Sequence, residues 1–110
     1  MTTITPTVTV IDRNRAETVW SGMVAGDVGM PVEVSHFDWR AVATNKAFGA
    51  ATVSLEESND AIVWAPIGNL VGVVQTPLSR ARYWRPNCTA SSGGPVDVIL
   101  LTSVRMHSEK

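Results

Sequence analysis

This chain has little of what usually carries chemistry or crosses a membrane. Its single cysteine, Cys88, excludes an intrachain disulfide. The only histidines are His36 and His107, and one thiol with two distant imidazoles makes no zinc-ligand spacing. No run reaches the roughly 20 apolar residues of a membrane-spanning helix. Met1-Thr2-Thr3-Ile4-Thr5-Pro6 lacks the basic and then apolar pattern of a secretory leader, so the reading expects a soluble, unprocessed chain with no membrane partner. Nine Lys and Arg against ten Asp and Glu leave a net charge of -1. Only Arg80, Arg82 and Arg85 cluster, which argues against a nucleic-acid footprint.

Reactive patterns are equally sparse. No G-x-S-x-G nucleophile elbow occurs, and no glycine loop of the phosphate-cradling kind precedes a helix. His36, just before Phe37-Asp38-Trp39, reads as a surface side chain rather than a base, and Cys88 reads as a small buried hydrophobe. Glu56, Glu57, Asn59 and Asp60 could offer oxygen to calcium, yet they lack the ligand alternation and central glycine of an EF-hand loop. A solvated hairpin tip is the better reading. The expectation is no enzyme, with no catalytic, cofactor-binding or metal-binding residue and no cofactor.

What is present is apolar and β-prone. Hydrophobic residues make up 45% of the 110 and charged ones only 17%, which is too apolar for disorder and lean in charge for a solitary monomer. Ala51, Val53 and Leu55 alternate with Thr52, Ser54 and Glu56, the period of a strand buried on one face. Ser58-Asn59-Asp60 then supplies side chains that accept backbone hydrogen bonds and tolerate left-handed geometry, so a hairpin reverses there and Trp64 closes it. Further strands are expected at Thr5 to Ile11, Glu17 to Gly22, Met30 to Val34, Asp38 to Thr44, Leu70 to Gln75, and from Arg80 to an end at Pro86. Val96, Val98 and Leu100 face one way and Ile99 and Leu101 the other, as in a central strand.

Polar or glycine-rich connections separate these runs at Asp12 to Arg15, Ala25 to Gly29, Ala65 to Asn69, Thr76 to Ser79 and Ser91 to Pro95. Helical periodicity is weak, its best window, Ala41 to Ala51, being broken by Thr44, Asn45 and Gly49. About eight short strands predict an all-β fold, an antiparallel β-sandwich with jelly-roll or Greek-key connections. The expected division is an extended N-terminal arm and first strand over 1–15, a sandwich over 16–105 and a flexible tail over 106–110. Val53, Leu55, Trp64, Val98 and Leu100 are the expected core.

Several segments, in order, carry a resemblance. They are Trp20-Ser21-Gly22, Ala25-Gly26-Asp27-Val28-Gly29, Gly49 to Glu56, Ser58-Asn59-Asp60 with Trp64, Ala81-Arg82-Tyr83-Trp84-Arg85-Pro86, and the apolar strand after Gly93-Gly94. Together they span about residues 20 to 102 and resemble small β-sandwich structural proteins of bacteriophage and prophage virions. The turn glycine that commonly follows Ser-Asn-Asp in those proteins is Ala61 here, which leaves the turn's backbone geometry open.

The resemblance implies a capsid cement or decoration protein, made in the host bacterial cytoplasm. It would sit on the outer surface of the virion head and stabilise contacts of the major capsid protein. Expected partners are that capsid protein and further copies of this chain, as a dimer or trimer. The expected interface residues are Thr5, Val8 and Val10 of the Thr/Val-rich arm, together with Arg82, Trp84 and Arg85, whose types anchor interfaces and pair with a partner's carboxylates. The alternative is a carbohydrate- or receptor-binding module of a tail or head fibre that uses exposed members of the set Trp20, Trp39, Trp64 and Trp84.

Overall fold

A computed structural model describes residues 2–35, 37, 39–44, 51–70, 81–91 and 95–104. The strands are β1 (Thr3–Ile4), β2 (Thr7–Asp12), β3 (Arg15–Met23), β4 (Val28–Gly29), β5 (Val32–Glu33), β6 (Trp39–Thr44), β7 (Ala51–Ser58), β8 (Ala65–Leu70), β9 (Tyr83–Ser91) and β10 (Val96–Ser103). One sheet runs β1-β4-β9-β7-β8 with β5 also pairing β9, and the other runs β2-β3-β10-β6. The fold is an all-β sandwich. Its pairings are antiparallel except β1 with β4. The chain crosses between sheets from β1 to β2, β3 to β4, β5 to β6, β6 to β7 and β9 to β10.

The alternating sequences place their apolar halves where expected. Val53 and Leu55 of β7 and Val96, Val98 and Leu100 of β10 are buried between the sheets with Trp20, Met23, Val34, Val42, Trp84 and Cys88. β10 lies between β3 and β6 as a central strand. The segment expected as an arm is divided: β1 pairs with β4 in one sheet and β2 with β3 in the other. Asp12 ends β2, accepting from the Asn14 N–H at 2.8 Å and pairing with Arg15 at 2.8 Å.

Three expectations are corrected. Ala65 to Asn69 is strand β8 rather than a loop, because the reversal takes the whole of 59–64. Trp64 is only half-buried on the outer side, and Trp84 takes the core position instead. The strand expected to end at Pro86 runs on to Ser91, in the interior of its sheet.

Pro86 is tolerated there for a geometric reason. Cys88 donates its N–H to Asp27 O at 2.9 Å and accepts from Gly26 N–H at 2.8 Å, so its backbone polar groups face β4. These directions alternate along a strand. Pro86, two residues back, therefore turns its donorless nitrogen to the same side, where β4 gives way to β5, and removes no bond to β7. The strand expected beyond Leu70, the connection at 76–79, Arg80, the glycine turn at 92–94, residues 45–50 of the weakly helical window, His36 and the 106–110 tail lie outside the described residues.

Close packing at Gly29 generates a stability prediction. A Cβ at Gly29 would fall 2.5 Å from Cδ of Pro86 and 2.7 Å from Cδ1 of Trp20, whereas one at Gly68 meets nothing within 4 Å. In denaturant melts, Gly29→Ala should cost about 1 to 3 kcal/mol by overpacking two rigid rings, and Gly68→Ala should stay within about 0.5 kcal/mol. Leu55→Ala, which empties a buried site, should cost about 2 to 5 kcal/mol.

Candidate interaction surfaces

The loop joining β7 to β8 is wound around two side chains. Ser58 Oγ accepts the N–H of Asp60 at 3.2 Å and of Ala61 at 2.9 Å, and its hydroxyl donates to Asp60 Oδ1 at 2.9 Å. Asp60 Oδ1 also accepts the N–H groups of Ile62 at 2.9 Å and Val63 at 3.0 Å. Asn59 Oδ1 accepts the Arg82 N–H at 3.3 Å, tying the loop to the start of β9. Ala61, at the position where the resemblance expects glycine, adopts φ 62°. That left-handed conformation costs an L-residue roughly 1 to 2 kcal/mol, so the hydrogen bonds on either side hold a strained turn in place.

This rigid loop presents Ile62 and Val63 to solvent at 79% and 73% exposure. Two adjacent β-branched apolar residues at the tip of an ordered hairpin are unusual on a polar surface. The sequence pattern conceals them, because Ala61 to Trp64 reads as the returning arm of the hairpin. A shallow cleft of about 520 Å³ lies beside the loop, bordered by Asn59, Asp60, Val63, Ala65 and Ala81.

The arginines expected at an interface are engaged by carboxylates of this chain. Arg85 Nε meets Glu56 Oε1 at 2.7 Å, Asn87 donates to the other oxygen at 3.3 Å, and the guanidinium lies 4.2 Å from the centre of the Trp64 ring. Arg82 Nε meets Glu33 Oε2 at 2.7 Å, with its guanidinium 5.3 Å from the Tyr83 ring. Trp84, also expected at the interface, is fully buried. Opposite Glu57 on β7, it points into the sandwich, and the Arg40 guanidinium caps its ring at 5.2 Å.

Thr5, Val8 and Val10 are exposed, and all of β2 is exposed along its length. Val8 and Val10 stand on β2 of the four-stranded sheet and Thr5 in the link from β1 to β2, whereas Arg82 and Arg85 lead into or lie on β9 of the other sheet. The six residues therefore form no single patch.

Glu56 and Asp60, raised as oxygen ligands, spend their carboxylates on Arg85 and on the loop backbone. Among the described residues, no group of three or more His, Cys, Asp or Glu side chains is placed to hold a metal ion. Cys88 is buried, which pushes its thiol pKa up and lowers its reactivity. Among the described residues no helix is long and apolar enough to cross a membrane. No family model matches the chain, and no curated protein matches it.

The loop's hydrogen bonds set its response to pH. The N–H groups of Val63 and Ile62 and the Ser58 hydroxyl hold the Asp60 carboxyl below its ordinary value of 3.8. A depressed folded pKa means the ordering is complete above 3.8 and is lost as pH falls through the folded value. Amide hydrogen exchange at Ile62 and Val63, read by NMR and corrected for its intrinsic pH dependence, should stay protected down to that range and then rise. Asp60→Ala should remove the protection already at neutral pH.

Proposed function

We propose that this chain is a virion decoration protein that binds the outer surface of a bacteriophage head and ties neighbouring major capsid subunits together. The observation that carries the proposal is the ordered loop holding Ile62 and Val63 in solvent. A preorganised apolar tip gains affinity because little entropy is lost on docking, and it fits a pocket in a large protein surface. Binding only to the assembled lattice stabilises that lattice by mass action. Many copies on one shell multiply a modest contact. The resemblance of the ordered sequence segments to small phage β-sandwich proteins supports the same reading, and the proposal assigns no catalytic residue, metal or cofactor.

A second reading, a saccharide- or receptor-binding module, is favoured by one observation: Trp64 is half-exposed with Arg85 against its ring. A flat ring of this kind can stack on a sugar face. Trp20 and Trp84 are fully buried, so the platform reduces to Trp64 among the tryptophan side chains described.

Purified, undecorated heads distinguish the two. Ile62→Ser combined with Val63→Ser should weaken head binding roughly 10- to 100-fold, the loss expected when two apolar side chains no longer leave water. Thermal melts should stay unchanged, because both residues are exposed. His36→Asn should bind like the wild type. Unweakened binding by the double variant would remove the loop from the contact, and electron microscopy locating the chain off the shell would overturn the decoration reading. In the second reading, Trp64 fluorescence responds to oligosaccharides and Trp64→Ala abolishes the response.

A further inference from the structure

β2 is an edge strand with two properties that a solvated edge usually avoids. Among the described residues it pairs on one side only, with β3. From Thr7 to Ile11 it is a run of β-branched residues without charge or proline, whereas natural edges are blunted by lysine, proline or bulges. Its one irregularity comes at the far end, between Val10 and Asp12. Finally, Val8 and Val10 lie on the inward-facing side of the sheet yet stay largely exposed.

The register establishes the last property. Val8 lies opposite Thr18 and Val10 opposite Ala16 on β3, on the face that buries Thr18 and Trp20. The other sheet ends at β1, which approaches β3. β2 therefore overhangs the sandwich, leaving Val8 at 56% and Val10 at 71% exposure.

We infer that this edge is filled by β2 of a second copy, paired antiparallel about a two-fold axis at Thr9. In that register Thr9 opposes Thr9, and Val8 opposes Val10 on each side of the axis. Side chains alternate faces, so both valine pairs meet on the same inward face. The segment is self-complementary, as a two-fold interface requires. The charged turn from Asp12 to Arg15 stays outside the pairing, and no like charges face each other. Only so short an edge is shared, far less than the roughly 800 Å² per partner of a standard interface. The dimer therefore dissociates on dilution and is reinforced where a surface holds copies side by side.

This inference stands apart from the capsid reading and is tested without heads. Sedimentation velocity on the full chain from micromolar to millimolar concentration should show monomer–dimer exchange. V8K/V10K and V8E/V10E should each weaken association by roughly tenfold or more through like charges set opposite each other. Their circular dichroism should match the wild type, and mixing the two variants should restore the dimer. Under mild oxidant Thr9→Cys should form a disulfide-linked dimer, since directly opposed residues place their Cα atoms about 4.5 to 5.5 Å apart. Val10→Cys, which faces Val8, should not. A wild type that stays monomeric throughout, a dimer that persists in V8K/V10K, charge variants that fail to recombine, or cross-linking through Val10→Cys instead of Thr9→Cys would each overturn the inference.

Discussion

Burial of the Trp20 ring between the two sheets is the constraint on which the rest of the structure depends. The residue belongs to β3, yet its Nε1–H donates across the sandwich to the Met30 carbonyl at 3.0 Å, satisfying the one polar atom of a fully buried side chain. Its ring also closes on the backbone of β4 at Gly29, and only a residue without Cβ leaves room for it beside Pro86. Gly29 therefore fixes how closely β4 can approach, and Pro86 occupies the gap where β4 gives way to β5. The sheets are brought into register by one indole, one absent side chain and one proline ring.

Ion pairs within the chain tie its strands together. Glu56 and Arg85 lock β7 to β9, Glu33 and Arg82 lock β5 to the start of β9, and Asp12 and Arg15 close the turn between β2 and β3. Such partly exposed pairs stabilise little individually, but they neutralise the faces they occupy. Among the described residues, the apolar loop tip and the uncharged edge of β2 stand out as surfaces with something to gain from a partner. Ion pairing thus organises the molecule, and exposed β-branched residues distinguish its outward surfaces.

Alternation made much of the sandwich legible. Val53, Leu55, Val98 and Leu100 occupy the core because a period of two decides which face each side chain takes. That period cannot decide which tryptophan is buried. From sequence Trp64 is expected in the core and Trp84 at an interface, whereas the outcome depends on a cross-strand register in which Arg85 faces outward and Trp84 inward. Pro86 misled for a related reason: a missing N–H ends a strand only if a neighbour needs that donor. Of the surfaces, the exposure of Val8 and Val10 was readable from a Thr/Val-rich segment near the N-terminus. Ile62 and Val63 were not, because apolar residues after a turn normally signal the next strand. Their exposure follows from Asp60 capturing their backbone amides.

β10 is the last of the described strands and also a central one, with Ser103 opposite both Arg15 and Trp39. During vectorial synthesis β3 and β6 emerge long before the strand that joins them. Until Val96 to Ser103 leaves the ribosome, β3 and β6 lack the strand that lies between them, and the four-stranded sheet exists only as separate pieces. A topology closed by such distant pairing folds slowly compared with helical domains of this size. The nascent chain therefore spends its synthesis with unsatisfied strand edges, the condition under which chaperone binding competes with aggregation.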